Sequence, residues 1–167
     1  NGGNKQTISL ESGYNDAEFT TGMKYFIKTY SSANTPPVYS LCDNQGKELT
    51  VLEDNNALLD KMSNYKLSQK EFVEFTSDGT ILNGWMIKPR DFDPSKKYPV
   101  YMTVYGGPGH NEVSDQWDGM DYMYHQLLAQ KGYIVVSVDP RGTMYRGADF
   151  KKSTYLNLGK LETEDII

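Results

Sequence analysis

The sequence predicts an α/β fold that follows a region of short antiparallel strands. Three observations lead there. Residues 98–105 alternate as a strand does, a glycine-rich break follows at 106–109, and a helix-spaced segment at 120–131 runs into an apolar strand at 133–138. Strand, loop, helix, strand is a βαβ unit, which crosses over right-handed and builds parallel strands. Before residue 54, by contrast, β-branched and aromatic residues are interrupted at short intervals by turn residues, the pattern of antiparallel strands.

Taken in order, five short strands are expected near residues 7–10, 18–20, 25–30, 38–43 and 48–52. The last two should pair as a hairpin, because Asn44-Gln45-Gly46 supplies the backbone angles of a tight turn. Between 55 and 65 the spacing becomes helical, with Leu58, Leu59 and Met62 on one side, so a linking helix is expected. Strands at 71–76 and 81–88 then flank an Asp78-Gly79 turn. In the strand at 98–105, Val100, Met102 and Val104 alternate with Tyr101, Thr103 and Tyr105; both sets are largely apolar or aromatic, which predicts a strand covered on both faces. The helix at 120–131 ends at Gly132, a usual helix stop. The strand after it ends in Asp139-Pro140-Arg141-Gly142, and Thr163-Glu164-Asp165 reads as a helix start with acids near the positive end of the dipole.

Composition narrows the function. A chain of 167 residues can bury a real core, roughly 70% of its unfolded surface. The longest apolar stretch, 133–138, is far too short to span a bilayer. Residues 1–6 show neither the basic segment nor the apolar core of a secretory leader. A net charge of -5, with basic pairs scattered among acids, argues against nucleic acid as a partner. The single cysteine, Cys42, cannot close an internal disulfide and has no Cys/His cluster beside it for a metal, so it reads as a small buried hydrophobe.

Several side chains invite a chemical role. Tyr105, on its own, is an aromatic at the end of a strand. Gly106, Gly107 and Gly109 let backbone pass close to a substrate, but neither they nor Gly159-Lys160 fit a phosphate-binding pattern, so no nucleotide cofactor is expected. Arg141 beside Asp139 suits a guanidinium that pins loops through carboxylates better than one that touches substrate. Glu162, Glu164 and Asp165 read as a solvated first helical turn with no second carboxylate opposite them. His125 falls at helical spacing with Tyr122 and Ala129, and His110 lies in the loop after the glycines. No G-x-S-x-G elbow occurs, so no serine here has the strained turn of an activated nucleophile.

Two segments carry a family resemblance: 97–108, with Tyr105-Gly106-Gly107-Pro108 at its end, and Val138-Asp139-Pro140-Arg141-Gly142 continuing to Tyr145-Arg146-Gly147. Together they resemble the prolyl oligopeptidase family. Val51-Leu52-Glu53-Asp54-Asn55, the helix after it, and the run 92–99 narrow the likeness to the dipeptidyl peptidase IV branch, and it covers nearly the whole chain. The resemblance implies the final part of a β-propeller over 1–54 and the first portion of an α/β-hydrolase domain over 55–167, cut from a longer protein. It implies a serine exopeptidase that releases Xaa-Pro or Xaa-Ala dipeptides from amino termini, with peptides as substrates and neither cofactor nor metal.

In that family the tyrosine at the position of Tyr105 donates its hydroxyl to the oxyanion of the tetrahedral intermediate, and Gly106, Gly107 and Pro108 form the loop beside the substrate. The catalytic serine, aspartate and histidine are expected after residue 167, so this chain alone should be inactive. Neither His110 nor His125 resembles the family's catalytic histidine. The same likeness favours a secreted or periplasmic homodimer for the parent protein, and an open sheet edge should make the isolated chain self-associate. The alternatives are an oligopeptidase or acylaminoacyl peptidase of the same family, or a noncatalytic hydrolase-like binding protein.

Overall fold

A computed structural model of the chain describes residue 3 and residues 5–167. The chain divides into two compact units, one running to Tyr65 and including Asp115–Gly119, the other made of Lys66–Ser114 and Met120–Ile167.

The first unit is a four-stranded antiparallel meander. Strands β1 (Tyr14–Phe19), β2 (Tyr25–Ser32), β3 (Thr35–Asp43) and β4 (Glu48–Glu53) lie side by side in chain order. Apolar cross-strand pairs hold it together. Phe19 opposes Phe26, with ring centroids 4.9 Å apart, and Phe26 in turn opposes Cys42. Phe26, Ala33 and Cys42 are buried, and burial pushes the Cys42 thiol upward in pKa. The β3–β4 hairpin turns at the expected place. Proline inside β3, a central strand, is unusual because it cannot donate to the ladder. Pro36 and Pro37 fall where the β2–β3 register shifts, between the pairs Ser32–Thr35 and Tyr30–Val38, and the free carbonyl of Pro37 accepts the Asn55 amide at 2.7 Å.

Two expectations fail in this unit. Residues 7–10 form no strand; Ile8 instead lies against the hairpin turn, where a Cβ on Gly46 would come within 2.9 Å of its carbonyl oxygen. The strand expected at 18–20 begins at Tyr14, because the polar Asn15 and Asp16 are carried by continuous pairing with Tyr30 and Thr29. Helix α1 (Asn56–Ser63) follows as anticipated and buries Met62. Segment Asp115–Gly119 joins this unit by hydrogen bonds. The Asp115 carboxylate accepts the Ala33 N–H at 2.8 Å, and the Ser31 hydroxyl accepts the Trp117 N–H at 3.3 Å.

The second unit is built on a mixed sheet in the order β5 (Lys70–Ser77), β6 (Thr80–Ile87), β8 (Ile134–Asp139), β7 (Val100–Thr103). β5 and β6 form a hairpin through Asp78-Gly79, β6 runs antiparallel to β8, and β7 runs parallel to β8. Helix α2 (Met120–Gln130) makes the crossover between β7 and β8. The βαβ unit read from the sequence is therefore present. Trp85, Ile87, Ala129 and Val135 form one core cluster, with Val113 and Leu128 against it; Leu82, Val136 and Val138 form a second, with Phe75, Met86 and Phe150. Adjacent residues of β8 thus enter different clusters, as period-two alternation requires.

The strand covered on both sides is therefore β8. β7 was expected in that role, yet it is a four-residue edge strand whose Val100, Tyr101 and Met102 are exposed. Its alternating apolar faces reflect surface that these residues leave open. Two short helices end the chain: α3 (Ala148–Lys152), which the sequence did not announce, and α4 (Lys160–Ile166), which starts before the expected 163. None of the described helices is long and apolar enough to cross a membrane.

Leu82 is fully buried among Val136, Val138 and Phe75. Leu82→Ala should lower the stability of the chain by about 3 kcal/mol through lost contact and the cavity left behind, measured as a shift of the urea midpoint at unchanged slope.

Candidate functional site

The site begins where β7 stops. Tyr105 lies two residues beyond Thr103, and Gly106 after it takes a positive φ of 73°, a turn that side-chain-bearing residues rarely make. Gly107 then passes under the tyrosine ring. A Cβ there would sit 2.9 Å from Cε1 of Tyr105, so a side chain at this position would push the ring from where it lies. The ring of His110 meets Tyr105 edge-on, with centroids 5.2 Å apart and planes at 75°, a favoured aromatic geometry. Tyr105 is 58% exposed. It borders a cavity of about 530 Å³ whose walls include Gly107, Pro108, Leu158, Glu162 and Ile166.

The loop that carries His110 is anchored from the sheet. At the end of β8 the two carboxylate oxygens of Asp139 accept the backbone N–H groups of Glu112 (2.8 Å) and Val113 (3.1 Å). The indole N–H of Trp85, on β6, donates to the Glu112 carbonyl at 3.1 Å. Asn111 closes the turn by donating to the Val113 carbonyl at 2.8 Å. Burial pushes the Asp139 carboxyl above the ordinary carboxylate range, and the two backbone N–H donors offset only part of that rise. His110 lies 3.5 Å from the Glu112 carboxylate.

Two residues after Asp139, Arg141 points into acids. Its Nε lies 3.0 and 3.1 Å from the two oxygens of Asp165, a terminal nitrogen reaches the same carboxylate at 2.8 Å, and the Arg141 backbone N–H donates to it at 2.7 Å. Glu164 at 3.7 Å and Asp78 at 4.0 Å complete the negative surround. Asp165 is therefore no solvated helix-start acid: its side chain is fully buried and tied to the strand end. Glu162 departs from expectation too, since it is buried and accepts the Gly159 N–H at 2.9 Å, capping its own helix. Arg146 stacks over Phe150, its carbon 4.4 Å from the ring centroid, and donates to the Ile81 carbonyl.

His125 is buried on α2 beside Trp85, ring centroids 5.3 Å apart, so it belongs to the packing of that helix. Among the described residues no group of three His, Cys, Asp or Glu lies close enough to hold a metal ion. Sequence reasoning singled out Tyr105 and its glycines but passed over Trp85 and the role of Asp139. A carboxylate closing an apolar strand, just ahead of Pro140, was the available signal for the latter.

The prolyl oligopeptidase family matches residues 123–167 of the chain. A dipeptidyl peptidase 4 of Trichophyton equinum is 38% identical over 159 residues, and one of Arthroderma otae 36% over the same length; each match takes in 93% of the chain and 20% of the relative. The crystal structure of Porphyromonas gingivalis dipeptidyl peptidase 4 superposes with a TM-score of 0.91 at 44% identity, over 98% of this chain and 23% of that one. The chain thus spans about a fifth of the length of the curated relatives it matches.

The Arg141–Asp165 pair carries a pH signature. Burial alone would raise the Asp165 carboxyl, but hydrogen bonds from the Arg141 side chain and backbone outweigh it and hold the group below its ordinary 3.8. The stability it contributes is therefore complete above pH 3.8 and is lost as pH falls through the lower folded value. Asp165→Asn should destabilise the chain by about 3 kcal/mol at neutral pH, and the gap from the unmodified chain should close only below that value. Urea titrations at neutral and strongly acid pH test this; an equal gap at both would contradict it.

Proposed function

The chain belongs to the prolyl oligopeptidase family, and we propose that it supplies the oxyanion-binding tyrosine of a serine exopeptidase of the dipeptidyl peptidase IV branch. The longer protein removes Xaa-Pro or Xaa-Ala dipeptides from the amino termini of peptides through an acyl-enzyme. Its serine, with the histidine and aspartate that activate it, comes from the part of the protein that this chain does not include. When that serine adds to the scissile carbonyl, negative charge gathers on the carbonyl oxygen. The Tyr105 hydroxyl donates a hydrogen bond to it there, and a prepared donor helps most where charge is newly formed.

The observation that carries this reading is the exposed Tyr105 at the carboxyl end of a parallel strand, its ring backed by a glycine whose missing side chain leaves the ring where it lies. Open α/β sheets bind ligands outside the carboxyl ends of their strands. In the same reading, residues 1–54 are the last part of a β-propeller and residues 55–167 open the peptidase domain. An antiparallel four-stranded meander is what a propeller blade consists of, which supports the first assignment; the parallel β7–β8 pair supports the second. Gly106, Gly107 and Pro108 lie beside the bound peptide. The parent protein works as a secreted or periplasmic homodimer, and this chain alone is without peptidase activity.

In the longer enzyme, Tyr105→Phe should lower kcat on Gly-Pro and Ala-Pro amides by about 100- to 1,000-fold with KM nearly unchanged. Full turnover by the phenylalanine variant would end the assignment of Tyr105, and an enzyme that leaves both amides intact would end the assignment of substrate. For the isolated chain, the open edge at β7 predicts association at high concentration; a monomer by light scattering would contradict it.

A further inference from the structure

The residue that holds Tyr105 in place is not adjacent to it. Between Gly106 and Gly109 the chain contains three glycines and one proline, and just beyond them it is anchored at the turn 111–113. That turn is held from two strands at once. Asp139 receives two consecutive N–H groups from it, and Trp85 supplies a donor to the carbonyl of the same residue, Glu112. Both anchors are buried: Trp85 is 1% exposed in the core and Asp139 is 5% exposed at the end of the strand buried on both faces. The anchored turn sets His110, whose ring rests on the edge of Tyr105, and it fixes the far end of the glycine segment whose Gly107 lies under that ring.

We propose that Asp139, with Trp85, is a positioning residue for the Tyr105 hydroxyl, acting through the backbone of Glu112 and Val113. A carboxylate is suited to the task because it offers acceptors to two neighbouring N–H groups at once and carries no donor of its own. An asparagine of the same shape accepts one and turns an NH₂ toward the other. Tyr105 itself is more than half exposed, so the orientation of its ring depends on what flanks it rather than on a surrounding core. A donor aimed at a forming oxyanion loses its effect when displaced by a fraction of an ångström, and misplacement of about 1 Å costs on the order of 100-fold. Loss of the clamp therefore lowers turnover chiefly by displacing the Tyr105 hydroxyl from the forming oxyanion.

The inference rests on the assignment of Tyr105 as oxyanion donor, and the test separates the two. In the longer enzyme, kcat and KM for an Ala-Pro amide are measured for Asp139→Asn, Trp85→Phe, Tyr105→Phe and each clamp variant combined with Tyr105→Phe. The expected result is a loss in kcat of about 10- to 100-fold for Asp139→Asn, a smaller loss for Trp85→Phe, and KM within about twofold for both. Combined with Tyr105→Phe, neither should reduce kcat further, because the donor they position is already gone. Trp85→Phe keeps an aromatic ring in the core and gives the answer if Asp139→Asn does not fold. Wild-type turnover in a folded clamp variant, alongside a large loss in Tyr105→Phe, overturns the inference and leaves the assignment of Tyr105 standing. Losses that multiply in the combined variants also overturn it, because the clamp would then act on something else. Full activity in Tyr105→Phe overturns both.

Discussion

Strand β8 is the constraint on which the second unit depends. Its residues enter both core clusters, Val135 on the side of helix α2 and Val136 with Val138 on the other, and among the described residues it is the only strand with a parallel neighbour on one edge and an antiparallel one on the other. A strand so enclosed has no freedom to slip, because a shift by one residue would exchange its two faces. Whatever emerges from its end is correspondingly well placed. Asp139, its last residue, reaches the loop after the glycines, and Arg141 just beyond reaches helix α4. Helix α4 borders the cavity beside Tyr105, and the loop follows directly on the glycines that line it. The geometry of a largely exposed site is thus inherited from a dry strand.

The two aspartates served by this strand end show how partner type governs a buried carboxylate. Asp139 meets amide dipoles, which satisfy its oxygens but only partly offset the loss of water, and burial leaves it easier to protonate than a free aspartate. Asp165 meets a guanidinium whose Nε donates to both of its oxygens, with the same residue's backbone N–H added, and ends up harder to protonate despite complete burial of its side chain. The first arrangement orients a flexible segment; the second fastens a short helix that has little buried apolar surface of its own.

Much of this was legible because it is local. The Asn44-Gln45-Gly46 and Asp78-Gly79 turns, helix α2 with its glycine stop, and the parallel pair around it all follow from short-range spacing, and the strand, loop, helix, strand order fixes handedness and pairing. The misreadings came from residues whose environment is set at a distance. Period-two alternation marks β7 and β8 alike, yet only neighbours on both edges make a strand interior, and β7 has one. Residues 7–10 have strand composition but lie against a hairpin turn rather than beside a free edge. Asp165 could be recognised as an ion-pair member only with Arg141 opposite it, 24 positions earlier in the chain. Tyr105 was found through its glycines and a family likeness, while its supports, Trp85 and Asp139, lie 20 and 34 positions away and leave no local pattern.

Cys42 gives the first unit a property of its own. It is the chain's single thiol, buried on β3, the strand between β2 and β4, with its ionisation suppressed, and it has no counterpart in the second unit. A thiolate, not a thiol, is what attacks an alkylating reagent. In the intact meander both burial and the suppressed ionisation slow such a reagent, so labelling requires the thiol to be uncovered. Alkylation of Cys42 therefore reports exposure of the interior of the first unit.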